Sequence, residues 1–408
     1  MQYLPDLIAT SLGVHGHPNR VRILALLGLA FLLLSVVLAR KVLSRFGHRE
    51  WFWGFVFVVL SGPLLAYANT SWGEVLGSGL LLTLVAAALL HAPPPLVALA
   101  AFGAALTKET AYPVVVALGL LGLVLARRRT ATPITGHLAW GAAGVVLAFV
   151  LTSLFNVVRF GEILNTNYLR SEFHTPGVGR KLELAAGLLV SPNGGIFVFW
   201  TSASILVLAA CFLPFARRIR RRRSDVDPRP ALVLIVVSAA VILTLASWWT
   251  PFGWLAWGPR LSLPWVLPLV LLGLVAHGEQ LTDLARRLVT PTWRLVLVAL
   301  AFAALTLPHV GYLWQPEATA ARFFSPDDPQ CRGAEPYGGP KHYACLREQT
   351  WVRRPMLVDA LPGLATPGGA ATSAAVIIAL LGSLIVLRDG VQRVRPQPAH
   401  ATFGPARA

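Results

Sequence analysis

Arg260 is the only charged residue in WWTPFGWLAWGPRLSLPW, residues 248–265, which hold five of the chain's 13 Trp residues. A guanidinium is planar, stays charged and can bind two phosphate oxygens at once, so Arg260 is a candidate for contact with an anionic phosphate. Gly258 and Pro259 would bend the chain and let a lipid headgroup approach. The alternative is that the Trp residues mark headgroup depth and Arg260 only snorkels to membrane lipid.

Two further charged positions stand beside apolar runs. Lys108 and Glu109, in LTKETAYP, separate two short apolar runs, where ionisable groups are costly. Either they form an ion pair that fixes helix packing, or Lys108 binds phosphate and Glu109 contacts donor or acceptor. Glu74 opens another run in NTSWGEVLG. A carboxylate there is favoured by the helix dipole alone, or it belongs to a site.

A long polar loop, RFGEILNTNYLRSEFHTPGVG, is followed by LLVSPNGGIFVFW. Tyr168 and Asn193 offer hydrogen-bonding groups that suit sugar hydroxyls, although an ordinary loop and a turn before a helix explain them as well. Asp6 is the only carboxylate among residues 1–21. Cys331 and Cys345 share one polar loop, which predicts a disulfide if that loop faces an oxidising compartment. No motif indicates a metal site.

The composition defines the elements that must position these residues. Of 408 residues, 55% are hydrophobic and 13% charged, and the mean hydropathy is +0.64. Apolar runs of about 20 residues are long enough to cross a bilayer as helices. We predict an all-α, polytopic transmembrane helical bundle in the lipid bilayer. Its eleven predicted spans are 22–39, 51–68, 74–91, 96–107, 111–126, 137–158, 196–215, 231–248, 263–277, 295–313 and 371–388.

The basic residues predict the orientation of this bundle. If every span crosses, the arginine-rich connections 40–50, 127–129, 216–229 and 278–294 all lie on one side together with the C-terminal tail. Positive residues accumulate in cytoplasmic loops, so the net charge of +17 needs no nucleic acid partner. We therefore predict a multi-pass protein of the cell (plasma) membrane, with its N-terminus outside and its C-terminus in the cytoplasm.

The same orientation divides the chain into segments. We expect an extracytoplasmic segment at 1–21, a transmembrane core at 22–313 and an extracytoplasmic loop at 314–370. A last transmembrane helix at 371–388 and a disordered cytoplasmic tail at 389–408 complete the chain. The long segments lie outside, so function is expected at the outer face. Charges near span ends, instead of mid-span, argue against a transporter.

The order of SWGEVLG, LTKETAYP, FGEILNTNY, LLVSPNGGIFVFW and WGPRLSLPW resembles a known family. It is similar to bacterial polytopic glycosyltransferases of the GT-C superfamily, which are related to the dolichyl-phosphate-mannose protein mannosyltransferases. The similarity covers roughly residues 50 to 280. It implies transfer of a sugar, with inversion, from a polyprenyl-phosphate donor to an acceptor glycan, lipid or protein, with no cofactor beyond that lipid-phosphate substrate.

The resemblance also implies roles for individual residues. Arg260 is the first candidate for phosphate contact and Lys108 the second, while Glu109 and Tyr168 would position substrate. Glu74 and Asn193 belong to the same substrate-binding set. The family's catalytic acid follows its first transmembrane helix, and this chain begins after the place of that helix. Asp6 is then the candidate base, and the chain is either shortened or inactive. The alternatives to an enzyme are a transporter or flippase and a non-catalytic membrane subunit.

Overall fold

The protein is built from helices. The computed structural model describes residues 17–68, 74–107, 112–127, 134–164, 174–221, 227–253, 257–289, 291–315 and 339–394. The first eight helices are α1 His17–Arg45, α2 Trp51–Leu60, α3 Leu64–Ala68, α4 Glu74–Leu89, α5 Pro94–Ala105, α6 Tyr112–Arg127, α7 Thr135–Phe160 and α8 Val178–Val190. The others are α9 Ile196–Phe199, α10 Thr201–Arg221, α11 Arg229–Ala246, α12 Leu263–Val289, α13 Thr292–Trp314, α14 Pro340–Trp351, α15 Met356–Asp359 and α16 Pro367–Arg393. Two 3-10 turns, Arg260–Ser262 and Leu361–Ala365, complete the described elements.

Each of the eleven predicted spans overlaps one helix or two consecutive helices of the described residues. Among the described residues, six helices are long and apolar enough to cross a membrane by length and composition. They are Leu26–Arg45, Thr135–Phe160, Arg229–Ala246, Arg260–Leu288, Thr292–Trp314 and Pro367–Arg393. The all-α polytopic membrane fold is confirmed, while the number of crossings stays a prediction because several apolar helices, such as α5, are short.

The ends of the predicted segments differ from the observed helices. Helix α1 begins at His17, inside the segment 1–21, and α16 continues to Arg393, so residues 389–393 are helical and not part of a disordered tail. At its other end α16 begins at a defined cap, where the Thr366 hydroxyl accepts the Gly369 N–H at 3.0 Å. The predicted outer loop 314–370 contains helices α14 and α15, and α8 follows the long polar loop that begins at Arg159.

Helix α12 lies at the centre of the bundle. It packs against α4, α10 and α16, and 83% of the residues in its most apolar 18-residue stretch are buried. A helix that is apolar on all sides is typical of this position. Its helical geometry breaks at His277 (φ −135°, ψ 24°), and just beyond the break Trp51 Nε1 donates to Thr282 Oγ1 at 2.9 Å. The far half of α12 is therefore fastened to α2.

The described contacts separate into two ends of the bundle. We name one the Arg-rich end, where Arg217 pairs with Asp283 at 2.9 Å and Arg286 donates to the Val391 carbonyl at 3.0 Å. We name the other the Trp-rich end, which contains Glu74, Trp249 and Arg260. The described residues Glu50, Arg217 and Asp283, from three of the connections predicted to be cytoplasmic, lie at the Arg-rich end. Which end faces the cytoplasm stays a prediction.

Candidate functional site

Arg260 and Glu74 form a buried ion pair at the Trp-rich end. The guanidinium Nε of Arg260 lies 3.2 Å from a Glu74 carboxylate oxygen, and each side chain is 10% exposed. Arg260 opens the 3-10 turn that leads into α12, and Glu74 is the first residue of α4. A carboxylate is favoured at a helix N-terminus, and the cation adds to that stabilisation. Two residues predicted separately as site candidates are therefore brought together.

The chain around Arg260 bends at two glycines in left-handed conformations. Gly253 has φ +86° and Gly258 has φ +65°, values that side chains other than glycine rarely tolerate. A Cβ on Gly253 would lie 2.9 Å from Nε of Arg260, and one on Gly258 would overlap the ring of Phe199. The Ser262 hydroxyl donates to the Pro259 carbonyl at 2.7 Å and closes the turn. The guanidinium thus rests directly against the Gly253 backbone.

A layer of buried aromatic side chains lies behind this turn. The indole of Trp257 stacks on Tyr312, with ring centroids 4.5 Å apart and planes at 17°, and meets Phe199 edge-on at 5.3 Å. Its Nε1 donates to His309 Nδ1 at 2.9 Å. The Tyr67 hydroxyl contacts the main chain of Trp257. Residues from α3, α9 and α13 therefore meet at the residue three positions before Arg260.

The connection between α5 and α6 begins beside the ion pair. A Cβ on Gly77 would lie 3.6 Å from Pro264 Cβ and 3.8 Å from Thr107 Cβ, so Thr107 approaches both α4 and the start of α12. Lys108 and Glu109 follow Thr107 immediately but lie outside the described residues, as do Asp6 and Tyr168. Their predicted roles stay predictions.

Asn193 is fully buried, and its amide bonds to the segment after α14. Its Nδ2 donates to the carbonyls of Gln349 (2.8 Å) and Arg353 (3.3 Å), and its Oδ1 accepts the Met356 N–H at 2.6 Å. The neighbouring Ser191 hydroxyl donates to the Thr350 carbonyl at 2.6 Å. These bonds satisfy main-chain groups at the end of a helix, where no intrahelical partner exists.

Helix α14 in turn packs on Trp249, in the connection between α11 and α12. His342 Nε2 lies 2.8 Å from the Trp249 carbonyl oxygen, to which it donates. Burial lowers the pKa of His342, and the hydrogen bond to Trp249 opposes this in part. Cys345 is buried and disulfide-bonded, and Cys211 is free. Cys331 lies outside the described residues, so the Cys331–Cys345 pairing stays a prediction.

Sequence reasoning missed most of the aromatic layer. Tyr67, Phe199 and Tyr312 sit within apolar runs and carry no local signal. His309 offered one, because an ionisable residue inside a predicted span is costly and therefore usually has a purpose. Within the part of the chain that the structure describes, no group of three or more His, Cys, Asp or Glu residues could hold a metal ion.

The chain was compared with family models, curated proteins and solved structures. No family model matches it, and a search of the curated proteins gives no match. Two solved structures are similar, those of ArnT from Cupriavidus metallidurans bound to undecaprenyl phosphate and in the apo state. Identities are 16% and 15% and TM-scores 0.43 and 0.41; the match covers 96% of this chain and 67% and 66% of those chains.

The chain therefore spans about two thirds of the length of these structures. The chemistry of this chain must therefore be argued from its own residues.

Proposed function

We propose that the protein is a membrane glycosyltransferase that uses a polyprenyl-phosphate-linked sugar and acts at the Trp-rich end. The observation that carries the proposal is the Arg260–Glu74 ion pair. It sets a permanent cation in a shielded position where a bundle of apolar helices ends. Such a cation suits the phosphate of a lipid whose chains stay in the membrane. Undecaprenyl phosphate, bound in one ArnT structure, is a ligand of this class.

Transfer from such a donor has simple requirements. The acceptor hydroxyl oxygen attacks the anomeric carbon, and the bond from that carbon to the phosphate oxygen breaks. The phosphate departs with the electron pair, and a carboxylate takes the hydroxyl proton. In our proposal Arg260 stabilises the charge that develops on the leaving phosphate, with Lys108 as a second cation. Asp6 is the candidate base.

Glu74 has a preparatory role in this scheme. Before the donor arrives, its carboxylate supplies a countercharge to the buried guanidinium. When the phosphate binds, it offers Arg260 a second anionic partner. Glu109 and Tyr168 would position the sugar or the acceptor. For Asn193 we propose a supporting role in holding α14, because its amide is fully buried and bonded within the protein.

The proposal extends to location and acceptor class. The Trp-rich end would face the outside of the plasma membrane, and the acceptor would be an extracytoplasmic glycan, lipid or protein. The competing roles are those of a transporter or flippase and of a non-catalytic subunit. Neither would consume a polyprenyl-phosphate sugar when purified alone, so turnover of the donor separates them from an enzyme.

The test is sugar transfer by the purified protein in nanodiscs. Undecaprenyl-phosphate-linked hexose and pentose donors are supplied with an envelope-lipid extract as acceptor, and release of undecaprenyl phosphate is measured. Because removing one charge-stabilising donor costs about 100-fold or more in rate, Arg260→Ala should lose at least that much, and Arg260→Lys should retain a part. Arg217→Ala, which breaks an ion pair at the Arg-rich end, is the matched control. The proposal is refuted if the unaltered protein does not turn over donor, or if Arg260→Ala and Arg260→Lys both turn over donor as fast as the unaltered protein.

A further inference from the structure

Trp257 is held by its main chain and its side chain at the same time. Its N–H donates to the Tyr67 hydroxyl at 2.7 Å, and that hydroxyl donates to the carbonyl of the same residue at 2.8 Å. A hydroxyl is both donor and acceptor, which a phenyl ring is not. Trp257 lies outside helix and strand, so its main-chain groups need partners of this kind when buried. Tyr67, which is 1% exposed, supplies both.

The indole of Trp257 is fixed by a second bond. His309 Nε2 lies 2.8 Å from the Phe199 carbonyl oxygen, which only accepts, so the ring proton is on Nε2. Nδ1 then carries a lone pair and accepts the Trp257 Nε1–H at 2.9 Å. The neutral tautomer with its proton on Nε2 is the one form that serves both neighbours. His309 thereby links the Trp257 side chain to the end of α9.

The short segment from Trp257 to Arg260 is rigid, so the position of Trp257 determines the position of Arg260. Gly258, in its left-handed conformation, packs against the Phe199 ring so closely that a side chain would overlap it. Pro259 has a restricted φ, and the Arg260 N–H donates to the Gly258 carbonyl at 2.9 Å. Only Gly258 and Pro259, two residues with little conformational freedom, therefore separate the fully buried Trp257 from Arg260.

We infer that Tyr67, Trp257 and His309 form a positioning unit that sets the place of the Arg260 guanidinium. The three residues come from α3, the connection between α11 and α12, and α13. Their assignment to catalysis rests on the proposed function of Arg260. Their effect on the position of Arg260 does not depend on any reaction.

Chemical protection of Arg260 provides a test without substrate. Phenylglyoxal modifies exposed guanidinium groups, and the rate at Arg260 is read by mass spectrometry of the protein in nanodiscs. His309→Leu removes both bonds of the imidazole, and loss of a buried hydrogen bond should raise the modification rate at Arg260 about tenfold. His309→Gln can donate to Phe199 and accept from Trp257, so it should restore protection.

Tyr67→Phe is the milder second variant, because it keeps the ring and removes only the hydroxyl. We expect faster modification of Arg260 here as well. Trp51→Phe, which removes an equally buried indole–hydroxyl bond at the Arg-rich end, is the matched control and should leave Arg260 protected. Arg260 protection unchanged in a monodisperse Tyr67→Phe protein overturns the inference, as does equal deprotection by Trp51→Phe.

Kinetics then separate this inference from the proposed function. If both hold, Tyr67→Phe and His309→Leu lower kcat because the displaced Arg260 guanidinium stabilises the transition state less well. His309→Gln then restores kcat. If modification responds as expected but no variant or unaltered protein turns over donor, the positioning unit stands and the glycosyltransferase proposal fails.

Discussion

The Arg260 guanidinium faces the Glu74 carboxylate at 3.2 Å, and this contact joins the 3-10 turn that leads into α12 to the first residue of α4. The two residues are far apart in sequence, and both stand where an apolar helix begins. Each is only 10% exposed, so water screens their interaction little. The first quantities to measure are therefore the contribution of this ion pair to stability and the affinity of Arg260 for a phosphate.

Glu74→Gln should lower stability and strengthen phosphate binding together. Removing one partner of a buried pair takes a countercharge from the other, at a cost of about 3 kcal/mol. Without the Glu74 carboxylate, the guanidinium offers a stronger site to an anion. Tm should fall without lipid, and undecaprenyl phosphate should recover more of it than in the unaltered protein. Asp283→Asn, in a half-exposed pair at the Arg-rich end, should change Tm little. An unchanged Tm in Glu74→Gln contradicts this picture.

Gly253→Ala should displace the guanidinium. Its Cβ would meet Nε of Arg260 at 2.9 Å, and the residue must also keep φ at +86°. Gly161 shares a left-handed conformation (φ +74°) but has open space around it, so Gly161→Ala reports the backbone strain alone, about 1–2 kcal/mol. We expect donor turnover to fall at least about tenfold in Gly253→Ala and to remain near normal in Gly161→Ala. Equal losses in the two variants would assign the effect to strain.

Asn193 substitutions should loosen α14 in two steps. Asn193→Asp keeps the acceptor for the Met356 N–H but loses the donor to Gln349 and Arg353, while Asn193→Ala loses every side-chain bond. Each unsatisfied buried group costs about 1–3 kcal/mol. Hydrogen exchange of residues 340–359 should therefore accelerate in the order unaltered protein, Asp, Ala. If hydrogen exchange accelerates only in residues far from α14, the Asn193 amide does not hold this helix.

Acid should weaken the docking of α14 through His342. Burial lowers its folded-state pKa below the ordinary value of 6.5, so the undocked histidine takes up a proton first as the pH falls. The stabilisation is complete above pH 6.5 and is lost progressively below it. Tm measured from pH 7.5 to 5.5 should fall more for the unaltered protein than for His342→Gln. Parallel Tm curves for the two proteins would exclude His342 as the titrating group.

Single cysteines can establish which end faces outward. Val352, at the Trp-rich end, and Ser44, at the Arg-rich end, are both exposed. In cells, a membrane-impermeant maleimide should label Val352→Cys directly and Ser44→Cys only after permeabilisation, because basic connections resist translocation. Both variants are made with Cys211→Ser. The reverse pattern would place the proposed site in the cytoplasm and remove an extracytoplasmic acceptor.

The membrane helices could be predicted from the sequence because runs of apolar residues report directly on the bilayer as solvent. Helices α8 and α14 lie in polar segments, where no run of that length marks them, and they were not predicted. Both members of the ion pair were chosen as candidates from their places beside apolar runs. Their pairing was beyond reach, because nothing local connects the start of α4 with the start of α12.

The aromatic layer shows a further limit of the sequence. Trp257 belongs to WGPRLSLPW, one of the stretches that carry the resemblance, but nothing in the sequence indicated its partners. Tyr67 lies 190 residues away and bonds to the main chain, which carries no side-chain signature of the contact. Such a contact depends on how three helices meet, and helix packing follows from the whole surface of each helix.

The geometry of α12 has a consequence for the depth of the site. From Leu263 to the break at His277 the helix rises about 21 Å, at 1.5 Å per residue, whereas the hydrocarbon layer of a bilayer is about 30 Å thick. The Trp51–Thr282 bond fastens the helix just past the break. If the break marks the far edge of the hydrocarbon layer, either the bilayer thins around the protein or a lipid that reaches Arg260 sinks below the plane of its neighbours.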